Sequence, residues 1–283
     1  MTHVVGCIDA SAAAPAVCDY AVWASQRMQA PLMFFHVIDD GRFQAESDMS
    51  GNIGLGSRES LLEELAELDA RRGRIAKEHG RHLLDAAVER AQAQGVVEVR
   101  QRQRHGELAQ CLLDIEPEIQ LLVMGLHGES SSPTEHPVGS QLETVIRSMH
   151  RAIMLVPDGF SEPRSAMLAF DGSSTAFRGV KLLASSPVFR DFPLHLVMVG
   201  PDTSDRWEQL RQAEKQLKEA GCEVHLAIRA GDVEQTLHAY QAEHGIDLLV
   251  MGAYGHSRIR QFFVGSTTTN LLKAARSPMV VLR

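Results

Sequence analysis

Short apolar runs recur along the chain, separated by longer stretches in which apolar residues return every three or four positions. The runs are His3–Ile8, Leu32–Val37, Leu121–Gly125 and Ala152–Val156, then Ala166–Phe170, Leu194–Val199, Leu248–Gly252 and Pro278–Leu282. Runs without regular polar alternation predict strands buried on both faces, as in a parallel sheet covered by helices. The intervening periodicity predicts helices over 12–28, 61–94 and 107–115, then over 175–185, 207–220 and 233–244, with an apolar helix over 267–275. Strands alternating with helices predict an α/β, doubly wound sheet in each half of the chain.

The halves repeat one another. His3–Ile8 closes on Asp9 and Ser11, and Ala166–Phe170 closes on Asp171, Ser173 and Ser174. Asp9 lies 28 positions before Val37, and Asp171 lies 28 before Val199. Leu121–Gly125 matches Leu248–Gly252, and Gly139-Ser140 followed by an apolar strand matches Gly265-Ser266 followed by another. Four ordered matches at similar spacing mark a tandem duplication. The turn-rich Pro157–Pro163 predicts the boundary, with domains over 1–158 and 161–283. The first half carries a surplus of 37 residues between Val37 and Gly106, an insert at about 40–75. It opens with the Gly- and Ser-rich stretch 41–57 and continues into a long amphipathic helix, for which Ser60 and Glu63 suggest a capping box. A surface or lid-like loop and a partner- or ligand-binding appendage are both readings of it.

Composition narrows the function. The formal net charge is −8 and aromatics are 5% of residues, which argues against a nucleic-acid binder. The same charge disfavours an anionic membrane surface, and no apolar run approaches the roughly 18–20 residues that span a bilayer. Residues 1–160 carry 14 Lys+Arg and 23 Asp+Glu, whereas residues 161–283 carry 14 and 13, so the two surfaces differ. The N-terminus does not resemble a signal peptide. Cys7, Cys18, Cys111 and Cys222 form no CxxC pair, and reduced thiols in a cytoplasmic protein are expected.

The strongest chemical signal is Gly252-Ala253-Tyr254-Gly255, nine further residues, then Gly265-Ser266-Thr267-Thr268. The first glycines follow an apolar strand, and the later Gly-Ser opens an apolar helix. Ligands of doubly wound sheets sit at the carboxyl edge of the strands. Glycine lets backbone approach a sugar or pyrophosphate, and a helix N-terminus offers unpaired N–H groups to phosphate. The residues thus describe a nucleotide site, its phosphates cradled by Gly265–Thr268. In the first half, Gly125-Leu126-His127-Gly128 is followed by ten residues before Gly139-Ser140, and Gln141-Leu142 replace the two threonines. That loop has lost hydroxyl contacts to phosphate. Glycine loops used only for turning are the plainer reading in both halves.

With G-x2-G-x9-G-[ST] reproduced from Gly252 to Ser266, the chain resembles the universal stress protein family in its tandem form, over essentially its whole length, twice. The resemblance implies two Rossmann-like domains, each a five-stranded parallel sheet with helices on both faces, related by a pseudo-two-fold. It implies ATP, alone or with Mg, as ligand. Asp171 and Val199 would face adenine and ribose, and Gly252, Gly255, Gly265, Ser266, Thr267 and Thr268 would handle ribose and phosphates. Their first-half counterparts would be Asp9, Val37, Gly125, His127, Gly128, Gly139 and Ser140. The last strands, at Ile153–Val156 and Met279–Leu282, would pair within the chain and cover two edges, making an intrachain pseudo-dimer and leaving a further homodimer open.

Other candidates are weaker. His79 and His82 are three apart on a predicted helix, where a solvated face is favoured over a metal site lacking a third ligand. His256, Arg258 and Arg260 lie inside the second glycine loop, near phosphate or simply in a basic loop. Asp9 and Asp171 each stand without a second carboxylate or histidine at a recognisable spacing, so positioning is favoured over catalysis. No Walker A lysine motif and no Ser-His-Asp pattern occurs. Met198, Met251 and Met279 read as packing residues. The expected function is an ATP-binding regulatory or protective stress protein, not an enzyme. A slow ATPase or adenylyl transferase, and a scaffold with decayed sites, are the alternatives.

Overall fold

The computed structural model describes residues 1–39, 55–128, 140–252, 275 and 277–283, with backbone alone for 55–63 and 140. In the first half these comprise strands β1 (His3–Cys7), β2 (Leu32–Ile38), β3 (Val99–His105), β4 (Ile119–Gly125) and β5 (Ala152–Val156). The second half supplies β6 (Ala166–Ala169), β7 (Leu194–Val199), β8 (Val224–Arg229), β9 (Leu248–Gly252) and β10 (Met279–Leu282). Helices α1 (Ala14–Met28), α2 (Leu55–Ala93), α3 (Leu108–Ile115) and α4 (Ser140–Ser148) lie in the first half. Helices α5 (Ser174–Ser185), α6 (Ser204–Glu219) and α7 (Val233–His244) lie in the second.

One sheet runs through the molecule in the order β3-β2-β1-β4-β5-β10-β9-β6-β7-β8. Neighbours within each half are parallel. The seam is antiparallel, with Met279 opposite Leu155, Val280 opposite Met154 and Val281 opposite Ile153. The strand order reads identically outward from that seam, so the halves are related by a pseudo-two-fold, as the duplication implies. Each half is α/β with a five-stranded parallel sheet, and the expected pairing of the last strands is present.

Side-chain alternation splits the core into two layers. Val4, Leu32, Phe34, Leu168 and Leu196 pack on the side of α1, α2, α5 and α6. Val5, Met33, Phe35, Met167 and Val197 pack on the side of α3, α4 and α7. Because both faces are covered, the central strands are apolar throughout. Between the halves, Trp23 stacks on Phe192 at 6.5 Å and Arg27 Nε donates to Val188 O at 3.2 Å. The connecting segment is tied down as well: the Tyr20 hydroxyl donates to Ser161 O at 3.1 Å, and Phe160 packs edge-on against the Tyr20 ring. Among the described residues, no helix is long and apolar enough to cross a membrane.

Several expectations need correction. The outermost strands β3 and β8 are not marked by apolar runs, because an edge strand leaves polar side chains in reach of water. β3 reads Val-Arg-Gln-Arg-Gln-Arg-His, with Arg102 bidentate to Glu118 at 2.9 and 3.1 Å and Arg104 3.3 Å from Asp114. Helix α2 starts at Leu55 instead of Leu61, so Ser60 lies inside it and does not cap it. Of the insert, residues 40–54 lie outside the described residues. Within α2, Leu68 and Ile75 are 44% and 59% exposed, and the helix meets the sheet only further on, near Gly80. A Cβ at Gly80 would stand 2.1 Å from Gln103 Nε2 and 2.4 Å from His36 Cδ2, so glycine permits the docking.

Candidate functional site

In a doubly wound sheet the crevice opens at the carboxyl end of the strand from which the chain crosses over in both directions. The strand order puts that point at β1, between β2 and β4, and again at β6, between β7 and β9.

At β1 the chain leaves the sheet through Ile8 and Asp9. The Ile8 N–H donates to Phe35 O at 2.8 Å, which holds the strand end in register, while His36 Nδ1 lies 2.7 Å from Ile8 O. Asp9 Oδ1 accepts from the Ser11 N–H at 3.0 Å and from the Ser11 hydroxyl, an Asx turn that fixes the carboxylate at the mouth. β4 ends on Gly125, where a Cβ would stand 2.8 Å from Ala13 Cβ, so glycine lets the loop after β4 press on the start of α1. Gly128 follows closely; a Cβ there would lie 3.4 Å from Asp9 Oδ2. The strand-end aspartate and the Gly-x2-Gly loop, over a hundred positions apart in sequence, therefore meet. Between the two glycines, the His127 Nδ1 is shielded from solvent with no partner among the described residues. Val37 is half-buried near the end of β2.

The second half repeats the arrangement. The Phe170 N–H donates to Val197 O at 2.9 Å, and Asp171 Oδ1 accepts from the Ser173 N–H at 2.9 Å. Ser173 in turn caps α5, its Oγ accepting from the Ala176 N–H at 3.1 Å. β9 ends on Gly252, where a Cβ would stand 2.7 Å from Thr175 Cγ2, the counterpart of the Gly125–Ala13 contact. β7 ends on Val199, followed by Gly200 at φ +146°, whose N–H donates to Arg229 O at 2.7 Å. The Arg206 guanidinium lies over Gly200 and donates to Pro201 O at 3.2 Å, bringing a cation to the end of β7.

Asp9, Gly125, His127 and Gly128 are thus brought together at one crevice, with Val37 on the neighbouring strand end. At the other, Gly252 meets Thr175 near the start of α5, two residues past the Ser173 whose N–H the Asp171 carboxylate holds, with Val199 on the neighbouring strand end. Gly139, Gly255, Gly265, Ser266, Thr267 and Thr268 lie outside the described residues, as do the side chain of Ser140 and the loop residues His256, Arg258 and Arg260. The sequence gives no direct warning of two further participants. Asp39, just past β2, accepts through Oδ2 from Gln141 Nε2 at the start of α4, 2.5 Å away. Arg206 is the other; its only sequence signal is its place one short loop after β7.

Cys7 precedes the first mouth, but burial, then the charges of Asp9 and Cys111, push its thiol up to about 12, so it stays protonated. His79 and His82 both lie on α2. Among the described residues no group of three or more His, Cys, Asp or Glu side chains is placed to hold a metal ion.

Comparison with known proteins places these features in context. The profile of the universal stress protein family matches residues 1–157 and again residues 163–283. Universal stress protein Slr1230 of Synechocystis is 31% identical over 287 residues, covering all of both chains. Among solved structures, a universal stress protein from Archaeoglobus fulgidus superposes with a TM-score of 0.69 at 16% identity, covering 99% of this chain and 96% of that one. A putative universal stress protein from Pseudomonas aeruginosa superposes with a TM-score of 0.58 at 14% identity, covering 100% and 93%.

Proposed function

The chain belongs to the universal stress protein family, and from that premise we propose that it binds ATP at the carboxyl edge of its sheet and acts as a regulatory or protective protein, not as a catalyst. The observation that carries the reading is the contact of Gly252, where the Gly252–Ser266 motif begins, with Thr175, in the helix that starts directly after the Asp171 turn.

In this reading Asp171 and the backbone at Val199 hold adenine and ribose. Gly252 and Gly255 let the chain pass close to the sugar. The amides and hydroxyls of Gly265–Thr268, at the start of a helix, take the phosphates. Bound Mg would offset phosphate charge there. Asp9, Val37, Gly125, His127, Gly128, Gly139 and Ser140 form the corresponding set in the first half. Neither set contains a base next to a nucleophile or a lysine at the phosphates, so binding without turnover is the expected output. The helix expected over 267–275 leads directly into β10, the seam strand. Phosphate contacts at its first turn would couple occupancy to the junction between the halves.

Calorimetric titration with ATP and Mg tests the proposal. Saturable heat is expected, with phosphate release no faster than in an Asp171→Ala, Gly265→Val double variant. No heat at millimolar nucleotide refutes binding, and faster release by the unaltered chain refutes the non-catalytic reading.

A further inference from the structure

We infer that the two crevices are unequal: the second takes the nucleoside triphosphate, and the first is closed to polyphosphate by the bridge between Asp39 and Gln141. The inference rests on the nucleotide reading above and adds which half is used and why.

The bridge spans the first crevice. Asp39 follows β2, Gln141 opens α4 beyond β4, and β1 with its terminal Asp9 lies between those strands. Adjacent strands are about 4.8 Å apart, so a side-chain bond from the end of β2 to the helix after β4 crosses the mouth above β1. It also sets a carboxylate at the first turn of α4, where phosphate would otherwise meet unpaired N–H groups. A triphosphate entering there would displace that carboxylate and face it at close range. Like charges a few ångströms apart in a partly buried crevice oppose binding strongly.

The second crevice lacks that carboxylate at the matching place and has a cation close by. By the spacing that relates Asp9 to Asp171, Pro201 stands where Asp39 does, and Arg206 lies against its carbonyl. The neighbouring Asp202 is turned to the indole of Trp207, which donates to it at 2.6 Å. In sequence, the stretch between Gly128 and Gly139 holds Glu129 and Glu135 and no Lys or Arg. The stretch between Gly255 and Gly265 holds Arg258 and Arg260 and no Asp or Glu. The duplication has kept the strand-end aspartate turn and the glycine that closes the fourth strand in both halves, with different charge around them.

Equilibrium dialysis of the full chain against radiolabelled ATP with Mg tests this by counting nucleotides per chain. One is expected for the unaltered chain, two for Asp39→Ala, none for Asp171→Ala, and one for the Asp39→Ala, Asp171→Ala double variant. Removing the carboxylate should raise first-site affinity by about tenfold or more. Gln141→Ala, which releases the carboxylate without deleting it, should give a smaller gain in the same direction, and it keeps the test open if Asp39→Ala fails to fold. Two nucleotides on the unaltered chain overturn the inference, as does a single nucleotide retained by the chain, Asp39→Ala and Gln141→Ala alike. That last result leaves the nucleotide reading standing; no nucleotide on any variant refutes the reading and the inference together.

Discussion

Asp9 with Ser11 and Asp171 with Ser173 show how a two-residue device is carried through a duplication: an apolar strand stops on a carboxylate, which turns back on the amide two residues later. That device was legible in sequence because every part of it is local. The Asp39–Gln141 bond was not, because it joins residues 102 positions apart through side chains with no periodic signature. The same holds for the imidazole cluster around His195, whose ring centre lies 4.7 Å from that of His225 and 5.3 Å from that of His244, with Nδ1 3.0 Å from the Tyr240 hydroxyl. Burial, then the charges of His225 and His244, push the His195 pKa down from 6.5 to about 4, with Glu223 opposing. The unfolded chain thus takes up this proton more readily than the folded one. Stability is complete above pH 6.5 and is lost as pH falls from 6.5 towards 4. The ring is only half-buried, and solvent screening leaves on the order of 1–2 kcal/mol of that linkage. Met33 stands at the matching place in the first half, and His195→Met should shrink the drop in urea stability between pH 7 and pH 4.5 by that amount. An unchanged drop would locate the acid sensitivity elsewhere.

Among elements, the buried strands and the helices that follow them were readable from pattern, because burial on both faces leaves an unbroken apolar run. β3 and β8 carry no such run because an edge strand is covered on fewer sides; the arginines of β3 also discourage edge-to-edge association. The start of α2 at Leu55 is not legible in the sequence, because a capping pattern at Ser60 and Glu63 is equally at home inside a helix. The pairing of β5 with β10 makes a sharper prediction than any helix boundary. Met154 and Val280 are directly opposed in an antiparallel ladder, where facing Cα atoms lie about 4.5–5.5 Å apart, within the range of a disulfide. Met154→Cys with Val280→Cys should therefore crosslink within one chain on oxidation, detected as a linked peptide pair at monomer mass. Linked dimers, or thiols that stay reduced, would contradict the seam.

Over the whole molecule, one ten-stranded sheet joins two copies of a doubly wound α/β unit, so a single polypeptide has the symmetry of a two-subunit assembly. The duplication was the most legible feature of the sequence, since four ordered matches survive where pairwise contacts do not show. Its unequal charge was visible only as totals for the two halves, and the structure places part of that difference at the mouths of the two crevices. The claim on which the rest depends is that ATP sits at the carboxyl edge of the second half. Hydrogen–deuterium exchange with and without ATP and Mg tests it most directly. The account predicts slowed exchange in peptides covering 171–175, 199–206 and 265–268, with 9–13 and 37–39 unchanged. Unaltered exchange across those second-half peptides at saturating nucleotide would contradict it.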